Sequence, residues 1–180
     1  VGNVLNAMAI QADGGILIGG SIQRFNNVQR NNLVRLTQDG SVDLAFTPSS
    51  LGVVNDVLVQ PDGNILVADG LVRRLLPNGM EDISFQGSAC CTIRQLLLQP
   101  DGSILAITEE LPGEVSIPGL VRMLPNGDLD PSFNFAFPGY YAERMALLPN
   151  GQFLVVIDVT GAGSRLLRFN SDGSEDTSFN

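Results

Sequence analysis

Short apolar runs alternate with polar, glycine-containing segments from one end of the chain to the other, and no stretch repeats the i, i+3, i+4 spacing of an amphipathic helix. The runs at Ala7 to Ile10, Ile16 to Ile18 and Val57 to Val59 are apolar, most of them rich in β-branched residues, and bounded by turn chemistry, which predicts strands. The separators follow one grammar: a variable residue, often Pro, then Asp or Asn, then Gly. Pro presets φ at the first central position, the Asp or Asn side chain closes the turn, and Gly accepts positive φ.

Two kinds of unit alternate along the chain. QADGGIL at residues 11–17 returns as QPDGNIL at 60–66, QPDGSIL at 99–105 and LPNGQFL at 148–154, while LVRLTQDGSVDLAF, beginning at residue 33, returns in variant form from residues 72, 120 and 166. One unit of each kind makes a repeat, with approximate spans 1–52, 53–91, 92–141 and 142–180, near the ~40–50-residue period of propeller blades. The expected fold is all-β: one β-propeller domain over residues 1–180, built from four blades of about four antiparallel strands each. Closure of so few blades would rest on side-chain packing between the first and the last; the alternative is an open arc completed by another chain.

Inside the second unit, Arg35 and Asp43 lie equally far from Asp39, as Arg74 and Asp82 do from Asn78, Arg122 and Asp130 from Asn126, and Arg168 and Asp176 from Asp172. Equal spacing about a turn sets each pair directly across a hairpin, where opposite charges contribute about 0.2–1 kcal/mol and help fix the register. These eight residues read as structural cross-strand pairs on an outer strand whose open edge needs protection. The Phe three positions beyond each Asp, at 46, 85, 133 and 179, is expected in the core between blades.

QADGGILIGG at residues 11–20 and RFNSDGSEDTSFN at 168–180 resemble the delta-60 repeat β-propellers, whose repeats carry a QPDGKILVGG-like segment followed by RLNxDGSxDxSF, and the resemblance runs over nearly the whole chain. It implies a propeller, and a secreted or cell-surface location. The roles of that family are poorly defined, so the resemblance implies no particular activity.

Composition narrows the chemistry. With 180 residues, 44% of them hydrophobic, the chain is long enough to bury a core. All ten basic residues are Arg, 19 residues are acidic and the net charge is −9. Affinity for nucleic acid or an anionic membrane grows with clusters of Lys and Arg, so neither partner is expected. His is absent, which excludes Ser-His-Asp and Cys-His catalysis within the chain and removes the usual zinc ligand. No cofactor is called for. The adjacent Cys90 and Cys91 are candidates for a strained intrachain disulfide, for thiols, or for a bond to another chain.

If the repeated turns share one face, the variable connections share the other: residues 20–32, Asp69-Gly70, residues 109–118 and residues 159–164. Binding usually resides in loops that vary on a rigid scaffold. The same face receives NFAFPGYY at 134–141, where Phe135, Phe137, Tyr140 and Tyr141 are candidates for a protein or glycan contact, or else plug the channel or cover a blade edge. Glu109, Glu110 and Glu114 read as a solvated patch. Asn170, Asp172, Ser174 and Asp176 alternate as calcium ligands do, but Gly173 stands fourth instead of sixth, so no metal site is assigned. The expectation is a non-enzymatic binding or assembly module working through its loop face and blade edges, with a protein partner or further copies of itself forming a ring or filament. The alternatives are a glycan-binding propeller and a metal-dependent, lactonase-like hydrolase.

Overall fold

The computed structural model describes residues 3–87, 92–109, 119–133, 135, 140–159 and 163–179. Every regular element among them is a strand, and the chain divides into two compact units, Val1–Ile93 and Arg94–Asn180. Each unit holds two three-stranded sheets, and the first also carries a two-stranded hairpin. In the first unit, β1 (Val4–Ile10), β2 (Ile16–Ser21) and β5 (Leu33–Leu36) form one sheet, with a small hairpin of β3 (Arg24–Phe25) and β4 (Val28–Gln29) inserted before β5. Its second sheet is β6 (Asp56–Val59), β7 (Ile65–Ala68) and β8 (Val72–Leu75). The second unit holds β9 (Thr92–Leu98), β10 (Ile104–Glu109) and β11 (Leu120–Met123), then β12 (Tyr140–Leu147), β13 (Phe153–Val159) and β14 (Gly163–Phe169).

The repeated turns are three-residue hairpin loops. Gly14 N–H donates to Gln11 O at 2.9 Å, Gln11 N–H donates to Gly15 O at 2.8 Å, and Gly14 has φ +84°. The other seven Gly of this grammar, Gly40, Gly63, Gly79, Gly102, Gly127, Gly151 and Gly173, also have φ between 84° and 96°. A type I turn closed by one left-handed residue is what such a hairpin requires. The Asx residue contributes too: Asp13 Oδ1 accepts from Gly15 N–H at 2.9 Å, and Asp101 Oδ1 from Ser103 N–H at 2.9 Å.

The outermost strand of each sheet shrinks to one bridged position, Leu36↔Val42, Leu75↔Glu81, Met123↔Leu129 and Phe169↔Glu175. One residue beyond each bridge stands the repeated Asp, and its two oxygens divide their work. In Asp130, Oδ2 accepts from Arg122 Nε at 2.7 Å, and Oδ1 accepts from Ser132 N–H at 2.8 Å and from the Ser132 hydroxyl at 2.6 Å. Asp82 and Asp176 repeat the scheme with Arg74 and Arg168 and a Ser two residues on, and Asp43 does so with Arg35 and the Ala45 amide alone. The Oδ1 contacts cap a turn that lifts the chain off the sheet edge, so the edge stays short and is hard to extend.

Within each unit, one Arg also serves the next sheet. Arg35 lies 4.7 Å from the Phe46 ring centroid and Arg122 lies 4.9 Å from that of Phe133. Arg35 Nη1 donates to Pro77 O at 2.8 Å, and Arg122 Nη1 to Ser171 O at 2.5 Å, both carbonyls belonging to the turn of the following repeat. The rings press on that turn's Gly: a Cβ on Gly79 would sit 2.9 Å from Phe46 Cε2, and one on Gly173 2.7 Å from Phe133 Cε2. At the opposite ends of the strands, Asn6 Nδ2 donates to Val54 O at 3.0 Å, and Gln95 exchanges two hydrogen bonds with the Met145 backbone at 3.0 and 2.9 Å. Between these two latches lie the cores, Leu17, Leu33, Phe46, Val57, Ile65 and Val67 in the first unit and Leu105, Ile107, Met145, Phe153, Val155 and Phe169 in the second.

Two predictions follow from this geometry. Gly173→Ala combines a positive-φ penalty of about 1–2 kcal/mol with a clash against Phe133. Gly151→Ala, where nothing lies within 4 Å, carries the backbone penalty alone. In urea titrations the first is expected to lose about 2–3 kcal/mol and the second about 1 kcal/mol; equal losses would contradict the latch. Acid should also loosen the fold. The Ser178 hydroxyl and amide, joined by Arg168 and Gln152, hold the Asp176 carboxyl down at about 2. Asp82, through Ser84, and Asp130, through the Ser132 hydroxyl, are likewise lowered; for Asp43, burial pushes upward but Arg35 and the Ala45 amide prevail. A carboxyl depressed on folding stabilises the fold above its unfolded value near 3.9 and loses that contribution as pH falls through the folded value. Stability should therefore be flat above about pH 5 and fall between about pH 4 and 2. In Asp176→Asn the fall should be shallower, and an unchanged profile would contradict the assignment.

Candidate functional site

The long connection of the first repeat folds into the β3–β4 hairpin, which the sequence pattern does not single out. Phe25 pairs with Val28 and Arg24 with Gln29, leaving Asn26 and Asn27 as the two loop residues with φ 47° and 64°. Two successive left-handed residues make a type I′ turn, the preferred two-residue hairpin loop, and Asn is among the few non-Gly residues that tolerate it. The Asn-Asn pair at 26–27 is the signal that could have revealed it.

Asn32, also left-handed at φ 66°, fastens the hairpin. Its Oδ1 accepts from Ile22 N–H at 2.9 Å and its Nδ2 donates to Leu51 O at 2.9 Å, so one side chain ties residues 20–32 to the loop that leads to β6. Ile22 is buried with Val34 and Leu36, and Phe25 packs on them.

Between these two loops lies a cleft of about 560 Å³, lined by Ser21, Ile22, Gln23, Arg24, Gln29, Arg30, Asn31, Asn32, Ser50, Leu51 and Val53. A second hollow of about 260 Å³ lies beside Arg30, walled by Gln29, Asn31, Phe46, Thr47 and Pro48. Arg30 is pinned by donating from Nη1 to Gln29 O at 2.9 Å and from Nη2 to Asp43 O at 3.1 Å. Arg24 stands exposed. Neither lining contains an acidic residue, so two arginines and four amide side chains converge on one hollow in a chain whose net charge is −9. Such a lining offers hydrogen bonds of both senses around an apolar floor of Ile22 and Leu51, suited to an extended polar chain that carries carboxylates.

The other candidate residues fall elsewhere. The four Arg–Asp pairs sit in the scaffold, as described. Of the two readings of Phe135, a buried ring fits the geometry: it is 7% exposed inside the second unit's core, its ring stacked 6.5 Å from Phe133 and tilted 5.1 Å from Phe169. The backbones of Tyr140 and Tyr141 belong to β12, paired with Val159 and Asp158, so the expected aromatic loop ends in a strand. The Asp69-Gly70 turn is corrected, to the three residues between Ala68 and Val72. There the Asp69 carboxylate accepts from Gly52 N–H at 2.9 Å and from Arg73 Nε at 3.1 Å. Phe137, Cys90, Cys91, Glu110 and Glu114 lie outside the described residues. Asp172 Oδ1 is taken by the Ser174 amide and hydroxyl at 2.9 and 2.7 Å, and Asp176 by Arg168, so these oxygens face protons. Among the described residues, no three His, Cys, Asp or Glu side chains stand together as a metal-holding group.

The comparisons with known proteins agree on the fold. A gluconolactonase from Xanthomonas campestris superposes with a TM-score of 0.66 at 19% identity, over 95% of this chain and 60% of its own. Virginiamycin B lyase from Staphylococcus aureus, with quinupristin, gives 0.60 at 13% identity over 93% and 56%. YCF48 bound to D1 peptide gives 0.62 at 14% over 96% and 52%. The chain thus spans between half and two thirds of the length of these structures, and likeness at such identity speaks for the fold alone. No curated protein sequence matches it. The family described as a domain of unknown function (DUF5122) beta-propeller matches residues 11–46, 99–133 and 149–179, more than half of the chain. The three stretches begin at or beside the repeated turns and end on or just past the Phe of the latch. The chain is a β-propeller protein and belongs to the DUF5122 family.

Proposed function

We propose that the chain is a non-enzymatic binding and assembly module, extracellular or on a cell surface, that takes an extended, carboxylate-bearing segment of a protein partner into the cleft beside the β3–β4 hairpin. The observation that carries this reading is the cleft itself, where Arg24 and Arg30 stand among amide side chains on a loop insertion locked by Asn32. A rigid sheet bearing one elaborated connection is the usual way that repeat scaffolds bind. Two further observations support it. The repeated Asp residues, which a hydrolase would need as ligands or bases, are engaged by Arg, amide and hydroxyl donors. One fold relative, YCF48, is bound to a peptide. The resemblance to the delta-60 repeats supports the location. A glycan-binding role through the aromatic segment has less support, since Phe135 lies in the core.

A second reading, a lactonase-like hydrolase, is favoured by the fold likeness to a gluconolactonase. Turnover of glucono-1,5-lactone that is abolished by EDTA and restored by a divalent cation would replace the binding reading with this one. The binding reading itself predicts that an array of extended peptides rich in Asp and Glu retains the chain. Arg24→Ala should then weaken the best peptide by about tenfold, or roughly 1.4 kcal/mol, and leave the urea midpoint unchanged because Arg24 is exposed. Retention indifferent to both Arg24→Ala and Gln29→Ala would overturn it.

A further inference from the structure

We infer that the partner segment docks by strand addition: it lies extended along the outer edge of β4 and hydrogen-bonds the Gln29 backbone while its carboxylates face Arg24 and Arg30. The inference rests on the cleft reading above and specifies how the segment is held.

The register of the hairpin opens this edge. A two-residue loop makes Phe25 and Val28 a hydrogen-bonded pair, and Arg30 N–H, donating to Gln23 O at 2.9 Å, marks the next such pair. Arg24 and Gln29 stand between them, so their backbone groups point away from the hairpin on either side. On the β3 side the edge is covered, since Asn3 Nδ2 donates to Arg24 O. On the β4 side Arg30 Nη1 answers the Gln29 carbonyl at 2.9 Å, but no acceptor among the described residues stands against the Gln29 N–H. The sheets treat their outer edges differently, cutting each to one bridged position backed by its Asp. An uncapped donor on a strand edge is a template for an incoming chain.

Space and charge decide which chain fits. Gln29, Arg30 and Asn31 line both the cleft of about 560 Å³ and the hollow of about 260 Å³, so the two border the same stretch of backbone. Arg24 shares a face of the hairpin with its cross-strand neighbour Gln29, while Arg30, one position on, is rooted on the other face. An extended chain along the edge also turns successive side chains to opposite faces. Two adjacent carboxylates of such a chain would therefore reach one arginine each. A second copy of the hairpin fits the edge less well, because it would set Arg24 and Arg30 against their own equivalents.

The test is a backbone scan of a synthetic probe, a blocked octapeptide with two central Glu residues flanked by Thr, titrated against the wild-type chain. Methylating one peptide nitrogen at a time puts a methyl group between strands that pair at about 4.8 Å. Every second amide of an added strand points at the edge, so losses of about tenfold should fall at alternate central positions, with the intervening positions tolerated. Gln29→Pro removes the open N–H where an edge tolerates proline; it should weaken the unmethylated peptide about tenfold and leave the urea midpoint unchanged. Losses spread evenly along the peptide, or a Gln29→Pro chain that binds as the wild type does, would overturn strand addition; if Arg24→Ala still weakens the peptide, the cleft reading stands. A wild-type chain that ignores the octapeptide also overturns the inference, and one that ignores the acidic array as well overturns both readings. Light scattering of the free chain covers the remaining occupant: a dimer that Gln29→Pro dissolves would assign the edge to a second copy instead.

Discussion

A three-stranded sheet has two faces, and no sheet here can bury both by itself. The Arg35 cluster shows how that constraint is met in one residue set. A single guanidinium holds Asp43 across its own hairpin, covers Phe46, and reaches the Pro77 carbonyl of the next turn. Remove the guanidinium and three things lose support at once: the outer edge, the ring that fills the gap between sheets, and the polar contact that sets the distance between them. An exposed ion pair alone is worth about 0–1 kcal/mol. Burying a Phe ring fully is worth roughly 1.5–3 kcal/mol. The apolar contact thus supplies the larger part, and the charges decide where it is made.

That division accounts for what the sequence discloses. The turns are legible because their information is local: Pro, Asx and Gly each impose one dihedral or one hydrogen bond, and the Gly positions all take the left-handed φ that the grammar demands. The Arg and Asp partners are legible because symmetry about a hairpin needs nothing beyond counting. The third contact of each Arg is not, since Pro77 lies 42 positions from Arg35 and only tertiary packing brings it near. The fourth strand is overestimated for a related reason. The pairing with Arg35 places Asp43 in a strand, but its other oxygen caps the turn at Ala45 and ends the strand there.

The functional side is less legible, and Phe135 and Asn32 show why. An aromatic residue in a loop reads equally as an exposed contact or as a satellite of the core, and only the neighbouring rings of Phe133 and Phe169 decide for the core. Asn32 looks like one more loop amide. Its left-handed backbone turns both ends of its side chain toward separate loops, and so it shapes the cleft without resembling a site residue.

Repetition itself then separates scaffold from site. Where a residue recurs at every repeat, as the Arg, Asp and Phe of the latch do, its ion-pair and ring partners recur with it and it belongs to the scaffold. Where the repeats differ, the latch places no demand, and the chain is free to carry something else. The β3–β4 insertion is such a place: it adds two arginines to a chain with ten, and it sets them where no carboxylate of the lining neutralises them. A positive hollow on a negative protein favours a partner whose charge is confined to a short segment, because a uniformly acidic partner would be repelled by the rest of the surface before it reached the cleft.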